Sequence, residues 1–212
     1  MDKNKRYIIV LDFEANCSKQ RVRDHEICEF PCVLLDTTTK RVVDEFRTFV
    51  HPVHHRKISD FINGLCGITT KQMYSGVGWS EAMDMFENWC EKNKLDKQNA
   101  IIVTCGDWDL KEMYPRQLML TNTIYSVPTL MKELFEDWCD IKQIHREYRE
   151  YPKCMGMKRM LEDVELELIG RHHSGIDDCR NTARLCVFLI EKGCILRYTK
   201  PLSDDIIDNE IM

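Results

Sequence analysis

Apolar residues fall in two rhythms along the chain, and each predicts a different kind of element. Residues 7–11, Tyr-Ile-Ile-Val-Leu, form an unbroken apolar run rich in β-branched residues; a run of that length fits a strand buried on both faces, near the centre of a sheet. Residues 30–35 and 42–50 read as two further strands joined by the Asp-Thr-Thr-Thr-Lys turn at 36–40, an antiparallel hairpin. A fourth strand, residues 100–105, stops at Gly106 and leads into a helix over 108–119 with Asp107 as its cap. The 3.6-residue rhythm governs residues 80–94, where Met83, Phe86, Trp89 and Cys90 share a core-facing stripe. It returns over 177–192, where Ala183, Cys186, Val187 and Ile190 line one face until Gly193 stops the helix. Strands followed by helices, with an early antiparallel hairpin, predict a mixed α/β sheet flanked by helices. Sites in such sheets gather at the carboxyl ends of strands.

Composition narrows this picture in three ways. A hydrophobic fraction of 43% over 212 residues supports one domain, which we place at 1–200, followed by an acidic tail over 201–212 containing Asp204, Asp205, Asp208 and Glu210. A formal net charge of −5 shows no global signature of a nucleic-acid binder, so any such binding must be local. The 11 cysteines are scattered through apolar stretches without a Cys-x-x-Cys pair; that argues against a structural zinc site and a dithiol redox enzyme. With no secretory pattern ahead of them, they read as buried reduced thiols in an intracellular protein, cytoplasmic or nuclear. No run approaches the roughly 20 apolar residues of a membrane span.

The chemistry concentrates at strand ends. Asp12 and Glu14 close the first apolar run, one residue apart in the alternation, so both point to one face. Carboxylates there repel each other and lose hydration unless cations compensate. Asp109 follows the fourth strand, and His173 precedes Asp178 at the start of the last helix. Each has an ordinary structural role available: a helix dipole is complemented by an acid in its first turn, and a lone histidine is commonly a loop residue. Together they form a set of four oxygen donors and a base. Hard cations, magnesium or manganese, suit such donors better than zinc does. Two ions about 4 Å apart would hold the attacking and leaving oxygens of a displacement at phosphorus. An imidazole with an unperturbed pKa near ~6.5 would accept the proton of the attacking water. We assign that role to His173, with the adjacent His172 as the alternative.

Three segments, Leu11-Asp-Phe-Glu-Ala15, Gly106-Asp-Trp-Asp-Leu110 and His173-Ser-Gly-Ile-Asp-Asp178, resemble the motifs of the DEDDh group of DnaQ-like 3′–5′ exonucleases of RNase T type. His25-Glu-Ile-Cys-Glu-Phe-Pro31, Ile58-Ser-Asp-Phe61, Leu65-Cys-Gly-Ile-Thr69 and Glu191-Lys-Gly-Cys194 are similar to its Eri-type branch, which contains the histone-mRNA 3′ exonuclease. The resemblance covers about residues 7–198. It implies a ribonuclease H-like mixed sheet and two magnesium ions, with manganese as the alternative, held by Asp12, Glu14, Asp109 and Asp178. His173 would be the general base, and its presence separates the chain from the RNase D-like sister group, which has tyrosine there. Glu14 would also orient the water, and the main chain at Phe13, Glu14 and Ala15 would face the terminal nucleotide. The implied reaction is stepwise release of nucleoside 5′-monophosphates from RNA 3′ ends, in trimming or decay. Two departures stand out: stem-loop-specific members carry an N-terminal nucleic-acid-binding module that is not expected here, which leaves specificity to a protein partner or a broad substrate range, and Asp107 replaces a small polar residue.

Single-stranded RNA is held by aromatic stacking and by cations that track phosphates. Trp108 is the stacking candidate, with core packing as its competing role. The basic groups at 19–23, 54–57 and 142–149 are candidates for a rim around the site. A DNA-directed exonuclease and an idle RNA-binding module are the alternatives; retention of four mutually repelling acids argues against the second.

Overall fold

The computed structural model describes residues 4–18 and 21–200, excepting the side chains of residue 18 and residues 21–24. The acidic tail expected over 201–212, residues 19–20 of the expected basic group and the side chains of its residues 21–23 lie outside what is described. Strand β1 (Tyr7–Leu11) is followed by β2 (Glu14–Ser18), β3 (Arg21–Asp36) and β4 (Arg41–Phe49). Two short helices, α1 (Asp60–Cys66) and α2 (Thr70–Tyr74), precede α3 (Trp79–Lys92) and β5 (Ala100–Thr104). A π-helical turn (Asp109–Met113) runs into α4 (Tyr114–Leu120); then come α5 (Thr129–Phe135), β6 (Trp138–Asp140), α6 (Ile141–Arg149), α7 (Met157–Asp163) and α8 (Gly175–Glu191).

The sheet has six strands, ordered β2-β3-β1-β5-β6, with β4 pairing β3. β1 runs antiparallel to β3 and parallel to β5. The continuous apolar run of β1 is explained by its place between them. Ile9 and Leu11 enter a core with Phe30, Leu34, Ile102 and the Met83–Phe86 stripe of α3. Ile8 and Val10 enter a second core, with Val33, Val103 and residues of α6, α7 and α8. The result is a helix/sheet/helix sandwich with the mixed sheet in the middle, the expected fold class.

Several expectations about elements change. The hairpin over 36–40 is present, but its first arm is the sixteen-residue β3, whose early half pairs with a strand not anticipated, β2. β1 ends at Leu11, so Glu14 opens β2 rather than closing β1. Asp107 does not cap the helix after β5: no side chain caps that end, and the Asp107 carboxylate pairs with Lys111 instead. α8 begins at Gly175, two residues before the expected start. Its deepest side chains include Ile176, Cys179, Leu185, Cys186 and Leu189, whereas Val187 and Ile190 are only half-buried. All 11 cysteines are free, and nine are buried. No helix among the described residues is long and apolar enough to cross a membrane.

Candidate active site

The parallel pair β1–β5 ends with both strands delivering an acid to one place. Asp12 follows Leu11 directly. After β5 the chain turns at Gly106, whose φ of 106° is open chiefly to glycine. The Gly106 N–H donates to Asp140 Oδ1 at 2.9 Å, and the same oxygen caps α6 by accepting from the Lys142 N–H. That turn starts the π-helical segment with Asp109 as its first residue. The Phe13 N–H donates to Asp109 Oδ1 at 2.7 Å, tying the two strand ends together across the sheet.

The third acid arrives on α8. Gly175 lies so close to the first strand that a Cβ there would sit 2.8 Å from Pro31 Cγ, 2.9 Å from the Asp12 carbonyl oxygen and 3.1 Å from Glu14 Cγ. Absence of a side chain therefore lets the helix start press against the 12–14 segment. Ligand atoms of Asp12, Glu14 and Asp178 lie within 4.8 Å of one another, and those of His172, His173 and Asp178 do likewise. The Asp178 carboxylate accepts from the His173 N–H at 2.8 Å through Oδ2, while its Oδ1 is buried without a partner.

Electrostatics express the crowding. Burial, then the charges of Asp109, Glu14 and Asp178, holds the Asp12 carboxyl well above its ordinary range. Glu14 is raised by burial and then by Glu29, its neighbour across the β2–β3 ladder, with Asp178 and Asp109 adding to it. Burial pushes Asp109 and Asp178 each up to about 7, against the hydrogen bonds that stabilise their charged forms. An acid set that tends to stay protonated at neutral pH, with one buried oxygen orphaned, is what cations would relieve; the donors are all oxygen or imidazole, the chemistry of a hard divalent ion. Magnesium or manganese therefore fits the residues present.

His173 is half-buried at φ 64°, a left-handed conformation uncommon for a side chain of its size. Its imidazole stacks on that of His172, with centroids 3.9 Å apart. Burial, with the His172 and Arg171 charges, holds its pKa below the ordinary histidine value, so it is neutral and able to accept a proton at pH 7. Arg171 anchors this loop. Its guanidinium donates to the Gly64 and Leu65 carbonyls of α1, filling the space that a Cβ on Gly67 would occupy.

The structure thus brings together Asp12, Glu14, Asp109, Asp178 and His173, and keeps His172 in the same cluster. The Phe13 ring is core, 4.9 Å from that of Phe30 and 5.9 Å from that of Trp79, and its N–H is engaged by Asp109. Ala15 is buried and paired with Ile27 in β2–β3. Trp108 is half-buried against the core, with its ring edge-on to His25 at 5.8 Å. The basic group at 142–149 is not a free rim. Arg149 is bound to Asp163, and Lys142 turns inward, where its charge stabilises the ionised form of Asp109. Arg171, Gly175 and Glu29 were given no role from the sequence, although Gly175 and Glu29 lie inside the motifs singled out there.

Residues 9–186 match the RNase_T exonuclease family. The chain belongs to that family. ERI1 exoribonuclease 3 of Homo sapiens is 34% identical over 196 residues, covering 91% of this chain and 56% of the relative. ERI1 exoribonuclease 2 of Xenopus laevis is 32% identical over 214 residues, covering 92% of this chain and 30% of the relative. The chain therefore spans from 30% to 56% of these relatives' lengths. Among solved structures, the nuclease domain of 3′hExo, described as a DEDDh family member bound to rAMP, superposes with a TM-score of 0.85 at 30% identity, over 95% of this chain and all of that one. The matched region contains the acid cluster and His173, so this exonuclease domain and the DEDDh assignment agree with the site geometry.

Proposed function

We propose that this exonuclease-family chain is a metal-dependent 3′–5′ exoribonuclease that shortens RNA from its 3′ end to nucleoside 5′-monophosphates. The observation that carries the reading is the convergence of Asp12, Glu14 and Asp178 on one point beside His173, with a buried Asp178 oxygen that has no partner in the protein. The relatives named as exoribonucleases support RNA as the substrate.

Asp12, Glu14, Asp109 and Asp178 would hold two magnesium ions, which when bound supply charge neutralisation at the phosphate and a more acidic water. Water attacks the last phosphodiester, the bond from phosphorus to the O3′ of the penultimate nucleotide breaks, and the terminal nucleotide leaves with the 5′-phosphate. His173 takes the proton of that water, and the adjoining His172 excludes solvent from one face of its ring. Glu14 accepts a hydrogen bond from the water and fixes its line of approach. The Phe13 N–H holds Asp109, and the His173 N–H holds Asp178, so two acids are preset before substrate arrives. A protein partner would supply any selectivity among RNAs, and the free, mostly buried thiols support an intracellular location.

Incubation of a 5′-labelled single-stranded RNA with magnesium tests this. A ladder receding from the 3′ end is expected, lost without metal, with a blocked 3′ terminus, or in Asp12→Asn. A matched DNA cut at equal or greater rate would move the assignment to a DNA-directed exonuclease, and no cleavage of either would overturn it.

A further inference from the structure

Residues 51–59 leave the end of β4 without regular structure, yet their backbone is held at point after point. Glu26, on β3 and only 1% exposed, accepts hydrogen bonds from the backbone N–H groups of Val53, His54 and His55. Asn16, also 1% exposed and paired with Glu26 in the β2–β3 ladder, donates to the Lys57 carbonyl at 3.0 Å and accepts from the Ser59 N–H at 3.0 Å. The Ile58 N–H donates to Thr70 Oγ1 at 3.1 Å, while the Ile58 side chain packs into a small core with Cys28 and Ile62. Two buried polar side chains are thus spent on fixing the path of one surface loop.

What the fixed loop presents is two cations: Arg56 and Lys57 are exposed, and neither forms an ion pair among the described residues. Elsewhere on this surface cations are commonly engaged: Arg180 with Glu45, Lys92 with Asp44, Arg149 with Asp163 and Arg197 with Glu147. Asn16 lies two residues beyond Glu14, about 7 Å along a strand, so the loop crosses the hairpin immediately beside the acid cluster.

We infer that the 53–59 segment is a preorganised strap for the phosphodiester backbone, gripping the RNA strand just upstream of the nucleotide being removed through Arg56 and Lys57. This rests on the exoribonuclease reading and adds to it the surface that holds the substrate strand. The physical case is the combination of locked backbone and unpaired charge. A cation on a mobile loop loses entropy each time it binds a phosphate, whereas a fixed backbone has already lost most of it at folding. In a chain of net charge −5, unopposed cations next to the site also provide the local attraction that the whole molecule lacks.

The test is Arg56→Ala/Lys57→Ala in the full chain, with magnesium, on single-stranded RNAs from a dinucleotide upward. The penalty should grow with length, reaching about a tenfold rise in KM on an oligonucleotide long enough to cross the strap while kcat holds. The slope of log affinity against log salt should become shallower by about 1.4, two phosphate contacts at roughly 0.7 each on a single strand. An equal penalty at every length would mean that the loop acts only by shaping the site. Unchanged KM and salt slope would mean that it does not touch RNA; either outcome overturns the strap. Anisotropy with a fluorescent RNA bearing an uncleavable 3′ end reads binding separately. If the wild type binds this RNA but cuts nothing, the catalytic reading fails while the strap is still decided by the variant's binding and salt slope.

Discussion

His173 meets two demands at one residue. Its N–H reaches Asp178 Oδ2, which the left-handed φ of 64° allows, and for the proposed role as base its imidazole must be unprotonated, which burial beside His172 and Arg171 favours. Substitution separates them. His173→Gln retains the backbone donor but has no proton acceptor of comparable basicity, so kcat should fall by about 10²–10⁴-fold. Magnesium should still raise the melting temperature, because the four acids are untouched. Single-turnover cleavage and melting measured on the same preparation check this; a fall in kcat below threefold would transfer the base to His172. These residues could be read from the chain because motif spacing records acid and imidazole types. Their backbone partners could not, since the donation from Phe13 to Asp109 joins residues 96 positions apart and leaves no mark on side-chain identity.

Among the elements, α8 shows how one missing methyl group sets the site. Gly175→Ala places a Cβ 2.9 Å from the Asp12 carbonyl oxygen and 2.8 Å from Pro31 Cγ, and neither backbone nor ring can step aside cheaply. The helix must shift, with an overpacking cost of about 1–3 kcal/mol. Activity should fall by about 100-fold, out of proportion to stability, because Asp178 and the His173 loop move with the helix. Gly64→Ala is the contrast: nothing lies within 4 Å of its added Cβ inside α1, so stability should rise by about 0.5–1 kcal/mol. Chemical denaturation and initial rates on both variants check the pair; equal activity in the two would remove the packing argument. The long runs that became β1, β5, α3 and α8 were legible because one rhythm persists through each. Short pieces such as α1, α2 and β6 were not, since five to seven residues or fewer carry too little periodicity. β2 was hidden because Glu14-Ala-Asn-Cys-Ser18 lacks β-branched residues and is a strand only through its pairing with β3.

Across the whole molecule, near-balanced surface charge surrounds one concentrated acid defect, and that contrast dictates how stability responds to pH. Asp109 and Asp178 have folded pKa values of about 7 against an ordinary 3.8, and Asp12 and Glu14 are raised as well. Between pH 4 and 7 the folded state therefore binds more protons than the unfolded chain, so their contribution is present at low pH and is lost as pH rises through 7. Two other classes of group differ in sign or window. His173 and His145, both lowered, favour the folded state as pH rises, but only close to pH 6.5. Asp36, Asp44 and Asp163, lowered by hydrogen bonds and neighbouring cations against the effect of burial, lose stability only below about pH 4. Metal-free protein should consequently melt higher at pH 5.5 than at pH 7.5, by roughly 5 °C. Magnesium should close that gap by binding the ionised acids of the folded state, and its effect should fade toward pH 5.5 as protons compete for the same oxygens. Asp178→Asn, which removes one of the raised acids, should flatten the metal-free profile. Calorimetry with and without magnesium across this window decides the matter: a melting temperature that climbs with pH in the absence of metal would show that the acids are already compensated from within the protein.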